Sequence, residues 1–192
     1  MAYILLIHWI LSLGAHQPDT HRQFEVFHNN QKVGVIYISR TVYDDTLNYQ
    51  LYSDVTIEGI VKVRIEESIS NVYVQGYLHS ASHHRNIHNI SDQYNQIWRD
   101  QHGYHSSTGK WKHSHDPIRN SVLQLYFEEP NQVPIVYSEQ SQNLITLNKT
   151  GQQQYRVTQP NGNYADYLYT STGLQTVHSV TQWGEVTFSL KQ

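Results

Sequence analysis

The sequence predicts an all-β fold: a single strongly curved antiparallel sheet or open barrel of about ten to eleven strands, arranged as a meander, with one short helix at about 118–127. Three observations predict it. From Gln23 onward, apolar and polar residues alternate with a period of two through successive runs. Turn-forming clusters separate those runs, among them Asn29-Asn30, Asp44-Asp45-Thr46, Pro160-Asn161-Gly162-Asn163 and Ser171-Thr172-Gly173. Finally, 15 Tyr and 4 Trp in a chain of 192 residues supply large side chains that pack on one side of a sheet and keep a polar tip. A sheet this wide must twist and curl, because flat open sheets beyond roughly ten strands are uncommon.

The first element is not a strand. Residues 2–15 form an apolar run that closes on Ser12-Leu13-Gly14-Ala15 and turns polar at His16. The run is shorter than the roughly 20 apolar residues that span a bilayer, so it reads as a signal peptide over residues 1–15 cleaved after Ala15, leaving a single all-β domain over residues 16–192. No Lys or Arg precedes the run and Leu13 is bulky for its place near the cut, features that suit a buried helix or an uncleaved anchor instead. No further membrane span is expected after cleavage.

Val33, Val35, Tyr37, Thr41 and Tyr43 then share one face of a strand, and Leu47, Tyr49, Leu51, Val55 and Ile57 share one face of the next. Gly59 supplies a bend, after which Val61, Val63, Ile65 and Ile69 alternate with Lys62, Arg64, Glu66 and Ser68. The histidine-rich stretch that follows reads as a solvated hairpin. Ile118, Val122, Leu125 and Tyr126 are spaced by four, three and one, which suits about two turns of helix ending before Pro130 and plugging the concave side. Strands are expected over 133–138, 144–147, 154–158, 164–170, 174–183 and 186–190.

Composition removes several function classes. Charged residues are 15% of the chain, the formal net charge is -3, and Lys and Arg are scattered, so there is no basic footprint for nucleic acid. There is no cysteine, which rules out disulfides, thiolate metal sites and a cysteine nucleophile. No Gly-x-Ser-x-Gly elbow, phosphate-cradling loop or dinucleotide fingerprint is present. Asn89-Ile90-Ser91 and Asn148-Lys149-Thr150 match glycosylation triplets, which matter only in a eukaryotic secretory route.

The succession Phe24-Glu25-Val26, Lys32-Val33-Gly34, Ser53-Asp54-Val55, Gly76 and Leu78, then Ile118 through Leu125-Tyr126-Phe127-Glu128-Glu129-Pro130, resembles domain-of-unknown-function family 6134. Val136-Tyr137-Ser138-Glu139, Lys149-Thr150-Gly151 with Tyr155, Pro160-Asn161-Gly162, and Tyr167 with Tyr169 extend the resemblance from about Gln23 to Leu190. It implies a small exported bacterial protein with no assigned activity. Between His79 and Asp116 the chain departs from the family pattern, its histidines replacing a more ordinary polar hairpin.

The stretch Tyr126-Phe127-Glu128-Glu129 carries the ligand-binding expectation, because there the alternation breaks and two carboxylates follow an aromatic pair. Adjacent carboxyls invite acid–base chemistry, yet neighbours in an extended segment point to opposite sides. The alternative places one Glu at the helix exit and the other in solvent. Of thirteen histidines, eight cluster as His79, His83, His84 and His88, then His102 and His105, then His113 and His115 beside Asp116. Neutral imidazoles at that spacing can begin a zinc site, but the polar surroundings read as solvated, and neither a metal nor another cofactor is assigned. The expected function is non-catalytic binding of a small hydrophobic or lipid-like ligand on the concave face, in the periplasm or outside a bacterial cell. The alternatives are a structural envelope protein with a filled core, and a hydrolase or metal-dependent enzyme using Glu128 or Glu129 with the histidines.

Overall fold

The computed structural model describes residues 20–58, 62–109, 116–181 and 184–191. The leader expected over residues 1–15, the bend at Gly59, and His113 and His115 lie outside the described residues.

Among the described residues, thirteen strands build one antiparallel sheet. They are β1 (Thr20–His28), β2 (Gln31–Tyr43), β3 (Thr46–Glu58), β4 (Lys62–Val74), β5 (Tyr77–Ile87), β6 (Ser91–Asp100), β7 (Gly103–Ser106), β8 (Ile135–Ser138), β9 (Asn143–Gly151), β10 (Gln154–Thr158), β11 (Tyr164–Thr170), β12 (Gly173–Thr181) and β13 (Gly184–Leu190). The meander runs outward from β1 to β7 on one side, and β8 to β13 returns on the other so that β13 pairs with β1. The first and last strands therefore lie side by side in the middle of the sheet, and β7 and β8 form its edges.

The expected count of about ten to eleven strands is corrected to thirteen, and the difference lies in the histidine-rich stretch. It folds as three strands, β5 to β7, because Leu78, Ala81, His83, Ile87, Ile97 and Tyr104 keep a buried face through it. A second correction concerns β2. Its buried side chains are the even-numbered Ile36 and Ile38, whereas Tyr37 stands half exposed outside. The turn at Asn29 and Asn30, both at positive φ, and a register shift between Val26 and Phe27 set Ile36 opposite Phe24 and so turn that face inward. Gly34 lies on this face, where a Cβ would come within 2.2 Å of the Asp54 carbonyl oxygen, so β2 and β3 pair this closely only with glycine there.

The expected helix over 118–127 is also corrected. The described residues hold no α-helix, and the segment contains one 3-10 turn, Leu123–Tyr126. Its backbone is already engaged elsewhere: Ile118 O accepts from Leu78 N, Val122 N donates to Tyr137 O, and Tyr137 N donates to Asn120 O. Groups bonded to β5 and β8 cannot close i to i−4 bonds, which leaves room for a single tight turn. The segment between β7 and β8 thus works as a connector, hydrogen-bonded to β5 and β8 and lying against the concave face, where Leu123, Leu125, Tyr126 and Phe127 are buried. The Ser106 and Thr108 hydroxyls donate to Gln142 Oε1 at 3.1 and 2.7 Å, drawing the end of β7 to the β8–β9 turn. No helix among the described residues is long and apolar enough to cross a membrane.

Candidate functional site

The inward faces of β1–β5 and β10–β13 enclose a cavity of about 210 Å³. Alternation places its apolar wall: Val26, Leu51, Ile65, Val157, Val177 and Phe188 all occupy inward positions of their strands. The connector forms the floor through Val122, Leu123 and Tyr126. Half-exposed Ile57, Asn163, Tyr164 and Thr181 stand where the sheet ends, so the cavity runs from that end down to the connector. An engineered apolar cavity of about 150 Å³ holds benzene, so this larger one, open at one end, is of a size for a small apolar molecule.

Polar groups interrupt the wall at a few points. One inward row, Arg85, Glu67, Ser53 and Ile36, crosses β5 to β2 as directly paired neighbours. Glu67 bonds His83 Nε2 at 2.6 Å, and that histidine is only 2% exposed. Burial raises the Glu67 pKa, but the His83 hydrogen bond and the charges of His83 and Arg85 outweigh it and hold the carboxyl below its ordinary value. The second carboxyl, Glu139, is buried beyond β8 and accepts from Asn71 Nδ2 at 2.5 Å and from Leu123 N at 3.3 Å. Burial raises its pKa against those hydrogen bonds, so its neutral form is favoured more than in water. Asn71 also donates to Ser121 Oγ at 2.9 Å, which fixes the connector to β4.

The four residues expected to bind ligand are split up by the fold. Tyr126 lies on the cavity floor, its ring edge-on to Phe24 and Tyr167. Phe127 is buried against Tyr49, with the guanidinium carbons of Arg22 and Arg40 at 5.7 and 5.8 Å from its ring centre. Glu128 faces solvent and pairs with Arg40 Nη1 at 3.3 Å. Glu129 accepts from the Tyr155 hydroxyl at 2.8 Å. Neither glutamate has a histidine partner among the described residues, so the carboxylate–imidazole pair envisaged for a hydrolase does not form from them. The histidines also separate: His83 points inward to Glu67, while His84 bonds Asp92 Oδ1 on the outside. The described residues hold no cluster of three His, Asp or Glu arranged to bind a metal.

The polar residues that line the cavity went unread in the sequence, although a signal was present. Glu67 falls between Ile65 and Ile69, and Arg85 falls between Ala81 and Ile87. Each is a charge at an apolar position of its strand, which is the pattern of a polar group directed into a core.

The family model of the Domain of unknown function (DUF6134) matches residues 24–191. No curated protein and no solved structure was found to match the chain.

Proposed function

Since the chain belongs to the family of the Domain of unknown function (DUF6134), which carries no activity to transfer, we propose a function from the cavity itself: an exported protein that binds one small hydrophobic molecule inside its curved sheet. The observation that carries the reading is a mainly apolar cavity reaching down to the connector, in a sheet whose remaining concave surface is filled by Leu125, Phe127 and the buried tyrosines. A structural protein with a wholly filled core has no need of such a space, and close packing normally removes it. Tyr126 is the ligand-contacting member of the Tyr126 to Glu129 stretch, since it lies on the cavity floor. Phe127, Glu128 and Glu129 act behind it, holding the connector through Arg40, Tyr49 and Tyr155.

Mass spectrometry of organic extracts of the protein from its native source tests this, alongside uptake of octan-1-ol by purified protein. The expected result is one apolar molecule per chain, lost in Ala165→Trp, where an indole on the cavity wall takes the ligand's place. Correctly folded protein that yields no molecule and takes up no octan-1-ol overturns the reading. Export is tested separately by sequencing the mature N-terminus, expected at His16.

A further inference from the structure

We propose that the molecule held in this cavity ends in a carboxylate and that Arg85 binds it. The inference rests on the binding function proposed above and specifies its ligand: a short apolar chain with an anionic head.

Three charged side chains line the cavity among the described residues, and they differ in what already satisfies them. Glu67 is engaged by His83 at 2.6 Å. Glu139 is engaged by Asn71 and by the Leu123 amide. Arg85 has nothing equivalent. Its guanidinium makes no hydrogen bond or ion pair among the described residues, and its Nε is shielded from solvent without a partner. Its neighbour in register is Glu67, which makes no hydrogen bond to it and whose carboxyl the arginine's charge helps to keep ionised.

A guanidinium N–H removed from water and left unpaired is destabilising, and nearly all buried polar groups in folded proteins find a partner. A ligand entering the cavity supplies the missing acceptor. The fork of Nε and Nη matches the two oxygens of a carboxylate, a pairing that a hydroxyl makes only in part and an ammonium opposes. Arg85 lies one position in from Ile87, Ile65 and Val55, with apolar wall beyond it. A head group at Arg85 therefore leaves an alkyl chain lying along Leu51, Val177 and Phe188 toward Tyr126. Of the two lining acids, Glu139 is held by donors of the connector and of β4, and the Glu67 carboxylate, bonded to His83, is the charge that the attraction of the head group to Arg85 has to outweigh.

Isothermal titration of the full protein with octanoate, octan-1-ol and octylammonium separates the possibilities, because the three share a tail and differ only in the head. Octanoate is expected to bind at least tenfold more tightly than octan-1-ol, with octylammonium weakest. In Arg85→Met that advantage is expected to disappear, with the circular dichroism spectrum and urea midpoint showing that the variant is folded; Arg85→Lys is expected to restore part of it. Equal binding of octanoate and octan-1-ol, or an octanoate preference that survives Arg85→Met, overturns the inference and leaves the proposed function standing. Failure of all three to bind overturns the proposed function and the inference together.

Discussion

Glu139 and Glu67 are two carboxyls of one concave face, and their surroundings push their pKa values in opposite directions. Glu139 is raised from 4.5 by burial, so between 4.5 and its higher folded value the native protein holds a proton that the unfolded chain has lost. Stability contributed by that proton is complete below 4.5 and is lost as pH rises through the folded value. Glu67 is lowered from 4.5 by His83 and Arg85 against the opposing effect of burial, so its contribution is present above 4.5 and lost as pH falls through its folded value. Urea unfolding followed from about pH 4 to pH 8 is expected to show the decline with rising pH abolished in Glu139→Gln and retained in Glu67→Gln. A decline unchanged in Glu139→Gln contradicts the assignment. The carboxyls were visible in the sequence as residues, and Glu139 belonged to the stretch that carried the family resemblance. Their opposite behaviour was not visible, since it depends on Asn71 and His83, which lie 68 and 16 positions away.

Among elements, the strands were the most legible and the connector the least. Period-two alternation and the turns at Asn29-Asn30, Asp44-Asp45 and Ser171-Thr172 located most of the hairpins, because both signals are local to a few residues. The spacing of apolar residues over 118–127 pointed to a helix, but the same residues are buried in the structure by a single tight turn whose flanks are bonded to β5 and β8. Periodicity registers which side chains are buried and says nothing about a remote partner for the backbone. Leu123 is 1% exposed and touches both the core and the cavity. Leu123→Ala is expected to destabilise the protein by about 2–5 kcal/mol and to enlarge the cavity. Denaturant titration checks the first effect, and uptake of a ligand longer than octan-1-ol checks the second.

At the scale of the whole molecule, the pairing of β1 with β13 joins residues as far apart as Phe24 and Leu190. Loss of a ladder hydrogen bond in the middle of the sheet should cost more than the same loss at an edge, because β13 is flanked on both sides and β8 is not. Thr187→Pro is expected to lower the urea midpoint markedly, and Ile135→Pro at the start of β8 clearly less. Equal midpoints in urea for the two variants would contradict the central position of β13. The sequence by itself determined the all-β class, the hairpin turns and the family, because alternation and turn chemistry act between near neighbours. It also determined that no thiol chemistry is available. Tertiary structure alone decided the count of thirteen strands, the inward face of β2, and the shape of the connector. It also decided which charges line the cavity: an inward position next to Ile65 becomes a cavity wall only when twelve strand pairings and the connector bring distant faces around one space.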